Sequence, residues 1–203
     1  MIFAATPTME PSTTTILAPA AAEILDFWFP PGTTGERREW FRKDPAFDRV
    51  VRDRFGPSLA AGLAGAFGDW CVQARGSLAR IVLLDQFTRN AFRDTPKAFS
   101  GDAAALATAE DALVRGFDRE LGAFERWFMI MPFEHAESLA MQDRSVALFR
   151  ALADDGLPGP LEWAQRHRAV IERFGRFPHR NAILGRESTA AEIAFLREPN
   201  SSF

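Results

Sequence analysis

From Pro19 onward apolar residues recur at steps of three and four, punctuated by Pro and Gly, and this pattern predicts helices along nearly the whole chain. Pro19 opens AAAEILDFWF, which Pro30 and Pro31 stop. Residues 36–42 read as a short helix carrying Trp40 and Phe41. Asp44 is an N-cap with Pro45 at the first helical position, and Gly56 is expected to close that helix. Gly56, Gly62, Gly65 and Gly68 then predict one weak helix and a loop. Ser77 is placed to cap a helix through LARIVLLDQFTRNAFR, and Thr95-Pro96 opens a further turn. An Ala-rich helix over 102–115 ends at Gly116, and two helices over 121–131 and 133–154 are expected with a kink at Pro132 between them. Pro160 starts LEWAQRHRAVIERF, ended by Gly175; after a turn from Pro178, Thr189 and Glu192 have capping-box spacing for a last helix.

The sum is nine or ten helices with hardly any two-residue alternation. The best strand candidate, Ile81 to Leu84, lies inside a longer run without turn residues, so length favours helix. The expected fold is all-α, in stacked antiparallel helical hairpins, with no significant sheet. Residues 19–203 are expected to form one domain, and the Pro-, Thr- and Ser-rich residues 1–18 a disordered or loosely docked arm. No repeat of fixed period is visible, and the Trp, Leu, Gly and Tyr signature of a tetratricopeptide is absent.

Chemistry is expected where costly polar groups interrupt apolar faces. After Ile81, Val82, Leu83 and Leu84 the next turn holds Asp85, Gln86, Arg89 and Asn90, and Asp85 precedes Arg89 by one turn, the favourable order for an ion pair. His135, Leu139, Gln142, Val146 and Phe149 share a face, which aims His135 and Gln142 at the interior. Glu137 meets His135 only if the helix begins after both, with Ser138 as its cap. His167 lies among Trp163, Val170, Ile171 and Phe174, a buried imidazole able to accept or donate a proton. The densest run is RFGRFPHRN, with Arg176, His179, Arg180, Asn181 and then Arg186. A helix beginning at Pro178 would leave backbone N–H groups of residues 179–181 unpaired inside a ring of Arg, an anion site. For each cluster the plainer alternative is a hydrogen-bonded structural core.

Composition narrows this. Twenty-four basic and 27 acidic residues give a net charge of −3, which argues against a nucleic-acid partner. A lone Cys71 excludes a disulfide framework and a Cys-based zinc site. His residues at 135, 167 and 179 form no helical metal-binding pair, and no phosphate loop, nucleophile elbow or dinucleotide fingerprint occurs, so neither metal nor cofactor is expected. No apolar run approaches the roughly 20 residues that span a bilayer, and the first eighteen residues lack a secretory pattern, so a cytoplasmic protein without membrane contact is expected. With 22 Arg, two Lys and no Tyr, polar work falls to His, carboxylate, Arg and amide groups.

The strings ILDFWF, DPAFDRVVRDRFG, LLDQFTRNAFR, HAESLAMQDRSVALF and RFGRFPHRNAILGRESTAAE resemble the blocks of a bacterial family catalogued as a domain of unknown function, number nine-two-four, from about Ala21 to Arg197. The resemblance implies an all-α, tetratricopeptide-like fold and no established activity. Two positions depart from it: Thr88 stands where similar sequences carry Pro, which would straighten the helix end, and Glu134 stands where an apolar residue is commoner, adding negative charge beside His135.

The leading expectation is a cleft that gathers the three polar segments into a site for a small acidic molecule or an acidic peptide end. Arg89, Arg180 and Arg176 would clamp the acidic group and Asn90 and Asn181 would orient it. A second reading is a metal-independent hydrolase or proton-transfer enzyme using His135 and Glu137. A third is a structural polar core, with aromatics such as Trp28 or Trp40 exposed for homo-oligomerisation.

Overall fold

The computed structural model describes residues 16–199 and 201; all but the last three residues of the expected N-terminal arm lie outside them. The described residues form ten α-helical segments joined by short turns, with no strand, as the apolar periodicity predicts.

Helix α1 (Pro19–Trp28) buries Ala21, Ile24, Leu25 and Trp28 along one face. Its last carbonyls are met from the next segment: the Arg37 guanidinium donates to the Phe27 and Trp28 carbonyls, and Trp40 Nε1, from α2 (Arg38–Phe41), donates to Trp28 at 3.0 Å. Trp28 and Trp40 are therefore core residues, and Phe128 sits edge-on against both rings. The expectation that they lie exposed for self-association is corrected: each such aromatic pair adds about 1 kcal/mol that exposure would forfeit.

Helix α3 (Pro45–Leu63) starts at its predicted cap, with Asp44 accepting from the N–H groups of Ala46 and Phe47, but runs on through Gly56, Pro57 and Gly62. Val51, Phe55, Leu59 and Gly62 form a buried stripe that continues across these weak residues, so packing overrides propensity. Gly62 packs closely there, since a Cβ would come to 3.0 Å from the end of the Leu83 side chain, which would have to shift.

Helix α4 (Ala74–Ile81) begins one turn earlier than expected, and Ser77 is buried inside it without a hydroxyl partner rather than capping it. The helix continues without a break through a π-helical turn (Val82–Phe87) into α5 (Thr88–Ala91), so nine helices result when these segments are taken as one. A π-turn holds one residue more than a regular turn and loosens the carbonyl ladder. Here side chains make good the loss: the Thr88 hydroxyl donates to the Leu84 carbonyl at 2.7 Å and Arg89 Nη1 to the Asp85 carbonyl at 2.6 Å. Thr88 thus ties the π-turn to the following helix.

Helix α6 (Asp102–Val114) abuts this turn end-on. A Cβ on Gly101 would collide with the Leu84 carbonyl, so glycine alone permits the approach that sets Asp102 beside Arg89. Helix α7 (Ala123–His135) passes through Pro132, and the chain breaks instead at 136–138 before α8 (Leu139–Asp154). Every residue from Trp127 to Glu134 is buried, a wrap of apolar contacts large enough to offset the roughly 3 kcal/mol cost of an internal proline. Helix α9 (Gly159–Phe174) packs back on α8, as α8 does on α7, and ends at Gly175 with φ +70°. A three-residue 3-10 turn (Pro178–Arg180) and α10 (Ala190–Phe195), closed by the predicted Thr189–Glu192 capping box, complete the chain. None of the described helices is long and apolar enough to cross a membrane.

Candidate functional site

Asp85 is the centre of the polar constellation, fully buried on the π-turn. Its carboxylate accepts from Arg89 Nη1 at 2.9 Å and from Gln86 Nε2 at 2.5 Å, and His135 Nδ1 lies 2.7 Å from Oδ1. Burial alone would raise its pKa; the opposing charges of Arg89 and His135 and these hydrogen bonds more than compensate and hold it well below the usual carboxylate range.

Arg89 turns its other bonds onto Asp102, Nη1 to Oδ1 at 2.9 Å and Nη2 to Oδ2 at 3.1 Å. Arg180 reaches the same carboxylate from the C-terminal segment, Nη1 to Oδ2 at 3.3 Å. Among the described residues that is its one hydrogen bond, and its buried Nε has no partner. Two rings line the guanidinium instead, Phe99 at 4.7 Å and Phe177 at 4.6 Å. Burial, then the charge of Arg89, lowers its pKa to about 10. A buried N–H left unsatisfied costs roughly 1–3 kcal/mol, so the fold holds Arg180 at a loss.

His135 ends α7, its ring turned to Asp85 on one side and a cavity on the other. A carboxylate on Nδ1 fixes that nitrogen as the protonated one and leaves Nε2 as an acceptor. Burial and the nearby Arg89 lower its pKa while Asp85 raises it, and the net shift is downward, toward the neutral ring. The cavity holds about 290 Å³ and is lined by Phe99, Asp102, Ala103, Leu106, Pro132, Ala136, Glu137 and Leu184 besides His135 and Arg180.

The structure thus brings Arg89, His135 and Arg180 onto one carboxylate-linked network at one cavity. Other residues named from the sequence serve elsewhere. Glu137 lines the cavity but is held by Arg186, Nη1 to Oε2 at 2.7 Å and Nη2 to Oε1 at 2.9 Å, and by the Phe177 N–H at 2.8 Å. These donors lower its pKa against the effect of burial, and Asp85 is the carboxylate on His135. Gln142 caps the end of α7, donating to the Glu134 and Ala136 carbonyls. Asn90 donates to Asp48, which Arg93 also grips, on the α3 side. His167 lies with Nδ1 2.8 Å from Glu134 Oε1, so the added negative charge at 134 goes to α9 and away from His135. Arg176 binds Glu192, and Asn181 binds Ser188 and Arg186. His179 is shifted down to about 3 by burial, then by Arg180 and His167.

The expected anion cradle at residues 179–181 is corrected. The segment is a single 3-10 turn, and the N–H groups of Arg180 and Asn181 are spent on the Phe177 and Pro178 carbonyls. Asp102 was not singled out from the sequence: an acidic residue opening an Ala-rich helix reads as an ordinary first-turn charge. The glycine at 101, directly before that helix, was the signal the sequence offered; its φ/ψ is one any residue adopts, so the close approach to Leu84 is what requires it. Among the described residues no group of three or more His, Cys, Asp or Glu is placed to hold a metal ion.

Fold and site together define an all-α protein with a buried Asp paired to a partly exposed His, and a partly unsatisfied Arg, at a small cavity. The sequence assigns it: residues 24–200 match the bacterial protein family of unknown function DUF924, and the chain belongs to that family. A solved structure of a protein of unknown function from Agrobacterium tumefaciens is 42% identical and superimposes with a TM-score of 0.79, over 87% of this chain and 96% of that one. No curated protein matches the chain in sequence.

Proposed function

We propose that the cavity is a small-molecule site in which Arg180 holds an acidic group of the ligand and His135 accepts or returns a proton at Nε2. The observation that carries this reading is the pairing of His135 Nδ1 with Asp85 at 2.7 Å beside a cavity that Arg180 also lines. A buried carboxylate that fixes an imidazole tautomer is the arrangement by which a His becomes a proton acceptor at neutral pH. At about 290 Å³ the cavity is at the small end of ligand pockets, which favours a compact molecule over an extended peptide. Glu137 positions Arg186 and the Phe177 backbone in this reading and moves no proton.

The test is incubation of the protein with a pool of small metabolites, followed by mass spectrometry of the compounds depleted. Turnover of an acidic metabolite is expected with the wild type, with a loss of about 100-fold or more in His135→Asn. Equal depletion by His135→Asn, or none by the wild type, contradicts the reading.

A further inference from the structure

Three arginines in this chain offer a comparison. Arg93 grips Asp48 through its Nε/Nη2 edge, at 2.7 and 2.9 Å, and Arg176 grips Glu192 through the same edge, at 2.7 and 2.9 Å. That edge presents two parallel N–H groups spaced to match the two oxygens of a carboxylate. In Arg180 the Nε/Nη2 edge has no partner among the described residues, although the side chain is 8% exposed; only Nη1 is bonded. With Phe99 and Phe177 against the guanidinium, the donors without an acceptor lie along that edge, with Nε closed off from solvent, so a ligand that reaches it must part the packing around it.

Resting on the proposed site, we infer that its ligand is a monocarboxylate with an apolar body, gripped in bidentate fashion by the Nε/Nη2 edge of Arg180. Charge selects a single carboxylate. Around the cavity Asp85, Asp102 and Glu137 face Arg89, Arg180 and Arg186, three anions against three cations, so every negative charge a ligand brings adds to a balanced site and a monoanion costs least, a dianion such as phosphate about twice as much. Asp102 already lies 3.3 Å from Arg180 Nη1 and repels each negative charge a ligand carries, which penalises a dianion more than a monoanion on the opposite edge. The remaining wall selects the body: Phe99, Leu106, Pro132 and Leu184 supply apolar surface, and the volume fits roughly ten groups the size of a water molecule, at about 30 Å³ each. A carboxylate on Arg180 satisfies the buried Nε that the fold leaves unpaired, and it places the ligand's body in the cavity that His135 lines.

The experiment is two-dimensional ¹H–¹⁵N NMR of the arginine Nε–H groups in the wild-type protein, the Arg180 signal assigned through its own side-chain carbons. Hexanoate, hexanamide, succinate and inorganic phosphate are titrated in turn. Hexanoate is expected to move the Arg180 Nε–H signal saturably and protect it from exchange, with hexanamide, succinate and phosphate leaving it in place. In Arg180→Lys, which keeps the charge and loses the fork, hexanoate affinity measured by calorimetry falls roughly tenfold or more. A response to phosphate or succinate without one to hexanoate overturns the monocarboxylate inference and leaves the small-molecule site standing. No response to any probe also overturns it, and the metabolite experiment above then decides separately whether the site itself is real.

Discussion

Two Arg–carboxylate clusters of similar composition lie side by side in this protein, and their hydrogen-bond inventories differ. In the C-terminal cluster Arg186 donates to both oxygens of Glu137, to Asn181 and to the Phe177 carbonyl, while Arg176 grips both oxygens of Glu192 and the Glu187 carbonyl. In the cavity cluster Asp85 and Arg89 are as fully engaged, yet Arg180 makes one long bond and His135 one short one, and both border open space. The electrostatics follow the inventory: hydrogen bonding to Glu192 raises the pKa of Arg176, whereas burial lowers that of Arg180 to about 10. A saturated cluster is a structural clamp. An unsaturated one keeps donors and acceptors in reserve, and the fold bears the cost of holding them.

The largest effect expected from perturbing this contrast is at Asp85. Asp85→Asn takes one of the two carboxylates from Arg89 and the anion from His135 and the buried turn, and is expected to cost about 3 kcal/mol, read by chemical denaturation. A loss under about 1 kcal/mol would show that the π-turn does not depend on the charge. Arg186→Met breaks the saturated clamp, frees a carboxylate that is 25% exposed and removes four hydrogen bonds to three residues, with an expected loss of about 2 kcal/mol. Acidification acts next. His135 and His179 are lowered in the fold, His179 to about 3, against an unfolded value near 6.5, so the unfolded chain takes up these protons first. Stability is therefore full above about pH 6.5 and declines as pH falls below it, by roughly 1 kcal/mol per pH unit from His179, with His135 acting in the same direction. Asp85 and Glu192, held low in the fold, contribute stability present above about pH 4 and lost at lower pH. Denaturation at about pH 7.5 and about pH 5.5 checks the first limb, and His179→Gln should flatten it; an unchanged slope in that variant assigns the limb elsewhere.

The contrast was only half legible in the sequence. The helices were, because Pro19, Asp44-Pro45, Gly116, Gly175 and the Thr189–Glu192 box act locally, and the Asp85–Arg89 pair followed from one turn of spacing. The π-turn was not, since one extra residue carries no composition of its own; it rotates the next turn of helix and sends Asn90 to Asp48 on α3. Gly56 and Pro132 misled for a related reason: burial of their helices by distant segments outweighs a local cost. Which of the many Arg would end unsatisfied depends on partners 78 residues apart, as with Arg180 and Asp102, and no spacing rule reaches that far.

The smallest expected effect tests the central claim, that Arg180 is kept for a ligand and not for the fold. Equilibrium denaturation of Arg180→Met beside Arg186→Met measures it directly. Arg180→Met should leave stability within about 1 kcal/mol of the wild type, or raise it, because Asp102 keeps Arg89 and a poorly paired buried charge is exchanged for an apolar chain of similar length. A loss equal to that of Arg186→Met would contradict the account and make both clusters parts of one structural core.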